Sequence, residues 1–268
     1  MPIVHSADGT PIAYSRIGNG PPVILVDGAM CYRAFGPAGP LATLLSERFT
    51  VFTYDRRGRG ESGDSQPYAV EREIEDIDAL ITEAGGSACL YGISSGAALA
   101  LEAANSGLAV EKLVLYEIPF IVDDTKPPIA SDFIARVEDH VAANRRGDAI
   151  AMFMKFVGVP APAIFIMRLL PAWSKLKAVA HTLPYDLSLV VKYETGEPLP
   201  AGRWASTKVP TLVADGGKSP AWMRNAMRSL AGVLPNAKYK TIDGQTHMLS
   251  AKAITPVLGE FFTGGAVA

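Results

Sequence analysis

The chain has 268 residues, of which 49% are hydrophobic and 19% charged, and carries a formal net charge of −2. That length suits one sizeable domain, or one domain carrying an insertion, and the composition excludes a disordered chain. The longest basic cluster is "DRRGRG" (Asp55–Gly60), too small for a nucleic-acid footprint, so the expected partner is a small-molecule substrate.

The first residues alternate in strand fashion around the turn "ADGTP", which predicts a hairpin at about 3–6 and 11–17. They contain no basic region followed by an apolar core. No secretory signal is expected, and the expected location is cytoplasmic. "PPVILVDG" (Pro21–Gly28) is a continuous apolar run ending at glycine, as a buried parallel strand should be. A helix follows at about 38–48, then a strand in "FTVFTYD" (Phe49–Asp55). "VEREIEDIDALITEAG" (Val70–Gly85) is an amphipathic helix with Ile74, Ile77, Leu80 and Ile81 on its apolar side.

"SACLYG" (Ser87–Gly92) is long enough for a buried strand, and "SGAALALEAANSG" (Ser95–Gly107) is rich in Ala and Leu, strong helix formers. Between them stands "YGISSGAA" (Tyr91–Ala98): strand, sharp turn, helix. The central residue of such a turn is forced into a strained conformation, and its neighbours two away must be small because strand and helix nearly touch. Gly92 and Gly96 meet that demand for Ser94. For Ser95 the flanking pair would be Ile93 and Ala97, which fits worse. Ser94 is the candidate nucleophile.

Another strand lies in "EKLVLYEIPF" (Glu111–Phe120). Residues 118–200 then read as helical pieces separated by prolines, without a convincing strand. Their most apolar stretch, Ala149–Trp173, is broken by Lys155, Gly158, Pro160, Pro162 and Arg168 into pieces too short to span a bilayer, so no membrane association is expected. The strand pattern resumes at "KVPTLVADGG" (Lys208–Gly217), followed by a helix at about 220–234, a strand "AKYKTID" (Ala237–Asp243) and a last helix near 250–263. Strand alternating with helix argues a mostly parallel sheet covered on both faces, an α/β fold. A helical block inserted between two strands argues a cap over the carboxyl ends of the strands. The expected division is a core of residues 1–117 and 201–268 with an inserted cap at 118–200. Cys31 and Cys89 match no metal or redox spacing, and neither a metal site nor a cofactor motif is read from the sequence.

The segments "VILVDGAM", "YDRRGRGESG", "YGISSGAALALEAA", "VPTLV" and "DGQTHML", in that order, resemble the α/β-hydrolase fold superfamily, specifically its cap-bearing serine hydrolases and cofactor-free haloperoxidase-like esterases. The resemblance covers nearly the whole chain, the cap least, and implies an eight-stranded sheet. It also implies a serine at the turn, a late histidine base and a carboxylate between them in the chain. His247 fits the base, since His5 is too early and His140 and His181 fall in the cap. The family's usual slot for the acid holds Ser219, which cannot supply a charge. Two substitutes stand at strand ends, Glu117 and Asp215, with Glu117 ranked first; Asp123 and Asp124 read as loop charges or a helix cap. Asp27 stands where relatives usually carry His, and is read as a residue that fixes its loop. The backbone amides of Ala29 and Ser95 match the expected oxyanion hole.

This implies a serine hydrolase for carboxylic esters or related acyl compounds. Met152, Phe153, Met154, Phe156, Phe165 and Met167 suggest an apolar cap and a substrate with an apolar portion. Two other classes remain open: a lyase or C–C bond hydrolase using the same triad, and a binding protein with degraded chemistry. The oligomeric state is not legible.

Overall fold

The computed structural model describes residues 2–264. Its first two strands, β1 (Ile3–His5) and β2 (Pro11–Ile17), form an antiparallel hairpin. The turn between them is closed by the Asp8 carboxylate, which accepts a hydrogen bond from the Thr10 amide at 3.0 Å. Six further strands complete one sheet: β3 (Pro22–Val26), β4 (Thr50–Tyr54), β5 (Ala88–Ile93), β6 (Val110–Tyr116), β7 (Thr211–Gly216) and β8 (Ala237–Ile242). The spatial order is β1-β2-β4-β3-β5-β6-β7-β8. β2 meets β4 antiparallel, and every pair from β4 to β8 is parallel.

Every residue of β4 and β5 is buried, the signature of strands covered on both faces. Successive side chains divide between the two faces: Val23 and Leu25 join one apolar cluster, Ile24 and Val26 the other. Helices α1 (Ala38–Leu45) and α10 (Ala251–Phe262) cover the first face. Helices α2 (Val70–Glu83), α3 (Ser95–Asn105) and α9 (Ala221–Val233) cover the second. In α2, Ile77, Leu80 and Ile81 are the buried stripe. β3 has β4 on one side and β5 on the other, so the connections leaving β3 and β5 diverge. That divergence opens a crevice at the carboxyl ends of these strands.

Between β6 and β7 lie α4 (Phe133–Ala142), α5 (Arg146–Phe156), α6 (Ala161–Met167), α7 (Ala172–Val179) and α8 (Leu183–Val190). Among the described residues no strand of the sheet falls in this segment, and a single parallel bridge joins Ile121 to Glu194. Pro162 and Pro184 stand in the first turns of α6 and α8, where a missing N–H costs nothing. The helices share a core of their own, built on Val137, Ile150, Trp173, Leu176 and Leu183. Among the described residues no helix is long and apolar enough to cross a membrane.

Candidate active site

β5 runs straight into α3 through one residue, Ser94, with φ 58° and ψ −131°. That conformation is rare for a residue with a side chain, and the surroundings enforce it. A methyl group on Gly92 would come 2.5 Å from Ala97 Cα, and one on Gly96 would come 2.3 Å from the Val26 carbonyl oxygen. The Ser94 amide is tied to the Tyr116 carbonyl at 2.9 Å, which fixes the turn against the end of β6. The hydroxyl of Ser95 is committed elsewhere, donating to Asp186 at 2.8 Å.

One residue beyond β6, Glu117 is fully buried and holds φ 47°. This turn aims its carboxylate toward the end of β7, where Oε1 accepts the Gly216 amide at 2.7 Å. Oε2 lies 2.9 Å from His247 Nδ1. His247 sits in the loop between β8 and α10, which is anchored from three sides. Tyr116 Oη donates to the Thr246 carbonyl at 2.8 Å, the Lys218 amide to the Gln245 carbonyl at 2.8 Å, and the Ser250 amide to Gln245 Oε1 at 3.1 Å.

Asp215 does not occupy His247 Nδ1. It is still within the β7–β8 ladder, opposite Thr241, and its Oδ2 accepts from Tyr239 Oη. Arg224 of α9 approaches the same oxygen at 3.9 Å. Two adjacent strands thus end in carboxylates with different engagements. Glu117 has left its strand and turned; Asp215 has not. The Ser219 hydroxyl is buried without a hydrogen-bond partner among the described residues. Asp123 closes a local turn by accepting from the Thr125 amide at 3.0 Å, and Asp124 is exposed.

The loop after β3 packs directly on the turn: a methyl group on Gly28 would come 3.0 Å from Ser94 Cβ. Its next amide, Ala29, and that of Ser95, the first residue of α3, have no backbone acceptor among the described residues. An N-terminal helical amide has no carbonyl to reach within its own helix. Asp27 is buried, and burial pushes its carboxyl up to about 7 against the pull of Arg59 and Arg56. The same arginines fix this loop, Arg56 through the Asp27 carbonyl at 3.3 Å and Arg59 through those of Gly28 at 2.8 Å and Cys31 at 3.2 Å.

Arg56 and Arg59 are buried, and each needs a carboxylate to be tolerable there. Arg56 pairs with both oxygens of Glu73, at 2.6 and 2.7 Å. Both arginines also bind Asp186 of α8, at 2.7 and 2.6 Å. Burial opposes the charge on Asp186, but the two guanidinium groups and Ser95 outweigh it and hold the carboxyl below its ordinary range. Asp186 therefore joins the helical segment to the loop and turn that present Ala29 and Ser95. Nothing in the spacing of "PYDLSLVV" singled it out; a lone acid in an apolar run was the available signal.

Ala29, Ser94, Ser95 and His247 line one cavity of about 550 Å³, together with Phe153, Phe156 and Leu187 of the helical segment. Of the other apolar residues expected to form a cap surface, Met154 is buried in the segment's core and Phe165 is exposed. Among the described residues no cluster of His, Cys, Asp and Glu could hold a metal ion.

The sequence matches the description of the Alpha/beta hydrolase family over residues 18–254. The chain belongs to that family. It is similar to an alpha/beta hydrolase of Sphaerobacter thermophilus, with 51% identity, a TM-score of 0.89, and coverage of 97% of this chain and 100% of that one. An esterase of Thermogutta terrifontis shares the fold at 20% identity and a TM-score of 0.71, over 98% of each chain. Among curated proteins, the one named "Probable oxidoreductase EphD" of Mycobacterium tuberculosis is 37% identical over 86 residues. That match spans 30% of this chain and only 14% of the relative's length.

Proposed function

We propose that this alpha/beta hydrolase cleaves carboxylic esters or related acyl compounds, with Ser94 as nucleophile, His247 as base and Glu117 as the acid that orients it. The observation that carries this reading is the Glu117–His247 pair at 2.9 Å, sharing a cavity with a serine held at φ 58°. His247 donates a hydrogen bond from Nδ1–H to the Glu117 carboxylate and keeps that proton, which leaves Nε2 as the base. His247 takes the Ser94 proton as Oγ attacks the acyl carbon, and the Ala29 and Ser95 amides hold the oxyanion. The protonated imidazole then gives its proton to the departing alcohol. Water, activated by the same imidazole, releases the acid and frees the serine. Residues 118–200 act as the cap, whose apolar side chains receive the apolar part of the substrate.

The test is covalent labelling with a fluorophosphonate probe alongside hydrolysis of a panel of esters and lactones. Labelling and turnover are expected in the wild type and absent in a folded Ser94→Ala variant, a loss of about 10⁴-fold or more in kcat. Full activity in that variant, or a loss confined to Ser95→Ala, would refute the assignment. A lyase or C–C hydrolase would turn over its own substrates while leaving every ester and lactone untouched.

A further inference from the structure

The wall that the helical segment contributes to the cavity holds a polar group the proposed chemistry does not use. Glu194 follows a single 3₁₀ turn after α8, and its backbone is fixed by the bridge to Ile121 and by the Ile129 amide, which donates to its carbonyl at 3.0 Å. The residue is 1% exposed and lines the cavity, and its Oε2 has no hydrogen-bond partner among the described residues. Lys126 lines the same cavity, with Nζ 3.9 Å from the ring centre of Trp222 and 4.4 Å from that of Phe156. Its charge is the one that offsets the burial of Glu194.

A buried carboxyl without a partner is costly, and an apolar side chain there would spare the fold that cost. In a concave site whose wall around it is mostly apolar, such a group is an open hydrogen-bonding position. The two residues also restrict what can fill it. A cation on the ligand would meet Lys126, and an anion would be tolerated only while Glu194 keeps its proton. A neutral oxygen suits both, since the ammonium donates and a carboxyl holding its proton can donate or accept. Burial pushes the Glu194 carboxyl up to about 8, so it holds that proton near neutrality.

We propose that Glu194, assisted by Lys126, recognises a neutral oxygen substituent, a hydroxyl or an oxo group, on the apolar portion of the substrate away from the scissile carbonyl. This rests on the ester-hydrolase reading for its kinetic test. The probes are para-nitrophenyl esters of straight-chain acids, unsubstituted and with an oxo or hydroxyl group at successive positions, compared at equal length. The wild type should favour one oxygenated ester by about tenfold or more in kcat/KM. Glu194→Leu should abolish that preference while leaving the plain ester as good a substrate or better, and Glu194→Gln should retain most of it. No preference in the wild type, or an undiminished one in Glu194→Leu, overturns the proposal. If the wild type hydrolyses no ester, that reading fails by itself. Calorimetric binding of the matching methyl esters to Ser94→Ala, with and without Glu194→Leu, then gives the same comparison, and equal affinities for plain and oxygenated compounds sink it.

Discussion

The two walls of the cavity are built on different terms. On the sheet side, the turn at Ser94, the Glu117 carboxylate and the His247 loop are each tied to the ends of β5, β6 and β7 by hydrogen bonds to backbone groups. Each of the two Glu117 oxygens has a partner. On the helical side, Phe153 and Phe156 offer apolar surface, and Glu194 keeps an unpartnered oxygen. The framework of the sheet side is finished before any ligand arrives, with the Ala29 and Ser95 amides left without a backbone acceptor among the described residues. The helical side keeps a buried carboxyl oxygen without a partner among the described residues, and under the proposed function this is the difference expected between a wall that performs a reaction and a wall that chooses what enters.

The sharpest way to break that comparison is to spoil the finished side without moving it. Glu117→Gln keeps an oxygen for the Gly216 amide but sets an amide nitrogen against His247 Nδ1. The imidazole then loses both its tautomer and the charge that stabilises its protonated form. A fall in kcat of about 10²–10⁴ is expected. Asp215→Asn keeps the contact with Tyr239 and should stay near wild-type turnover. Steady-state kinetics of the pair decides, and a reversal of their ranking would remove Glu117 from its role.

A second test attacks the join between the walls. Asp186 on α8 is the carboxylate that Arg59 faces, and it shares Arg56 with Glu73. Asp186→Asn leaves a buried guanidinium without a charge partner, which costs about 3–5 kcal/mol in comparable sites. Urea denaturation should show that loss, with activity falling as Ser95 and the loop at Ala29 lose their tie. A variant as stable as wild type would mean that Glu73 and backbone carbonyls suffice for both arginines.

The same contrast explains what could be read from the chain. The turn at Ser94 was legible because its cause is local: two glycines at fixed offsets, a strand before and a helix after. The sheet and its flanking helices followed from apolar periodicity, with boundaries displaced by a few residues, as where α1 ends at Leu45 and a short turn leads into β4. Ranking Glu117 ahead of Asp215 rested on the family resemblance, because the strand pattern alone does not separate them. Both end adjacent parallel strands, and what separates them is a backbone turn at Glu117 and the position of the Gly216 amide. The helical wall was the least legible. Whether Phe153, Met154 or Phe165 faces a cavity, a core or solvent depends on how five short helices pack, and no local period records that. Asp186 and Glu194 escaped notice for the same reason, since the charges near them, on Arg56, Arg59 and Lys126, are distant in sequence.

The last test concerns Asp27, below the sheet-side wall, whose effect vanishes at low pH. Its carboxyl is pushed up to about 7 by burial, whereas in the unfolded chain it titrates near its ordinary value of 3.8. Between those two values the unfolded chain has released a proton that the folded protein still holds. Folding is therefore progressively disfavoured as pH rises through that window, and the cost levels off above it. A shift of this size corresponds to on the order of 4 kcal/mol. Asp27→Asn has no proton to lose, so it should match wild type at about pH 4, gain on it steadily, and lead by the largest margin at about pH 8. Other carboxyls raised by burial, Glu194 among them, contribute equally to both proteins and drop out of the difference. Urea titrations of the pair across this range give the result directly. Parallel stability curves would show that Asp27 stays charged beside Arg59 and Arg56, and that the wall above it rests on an ion cluster one member larger than Asp186 and Glu73 alone supply.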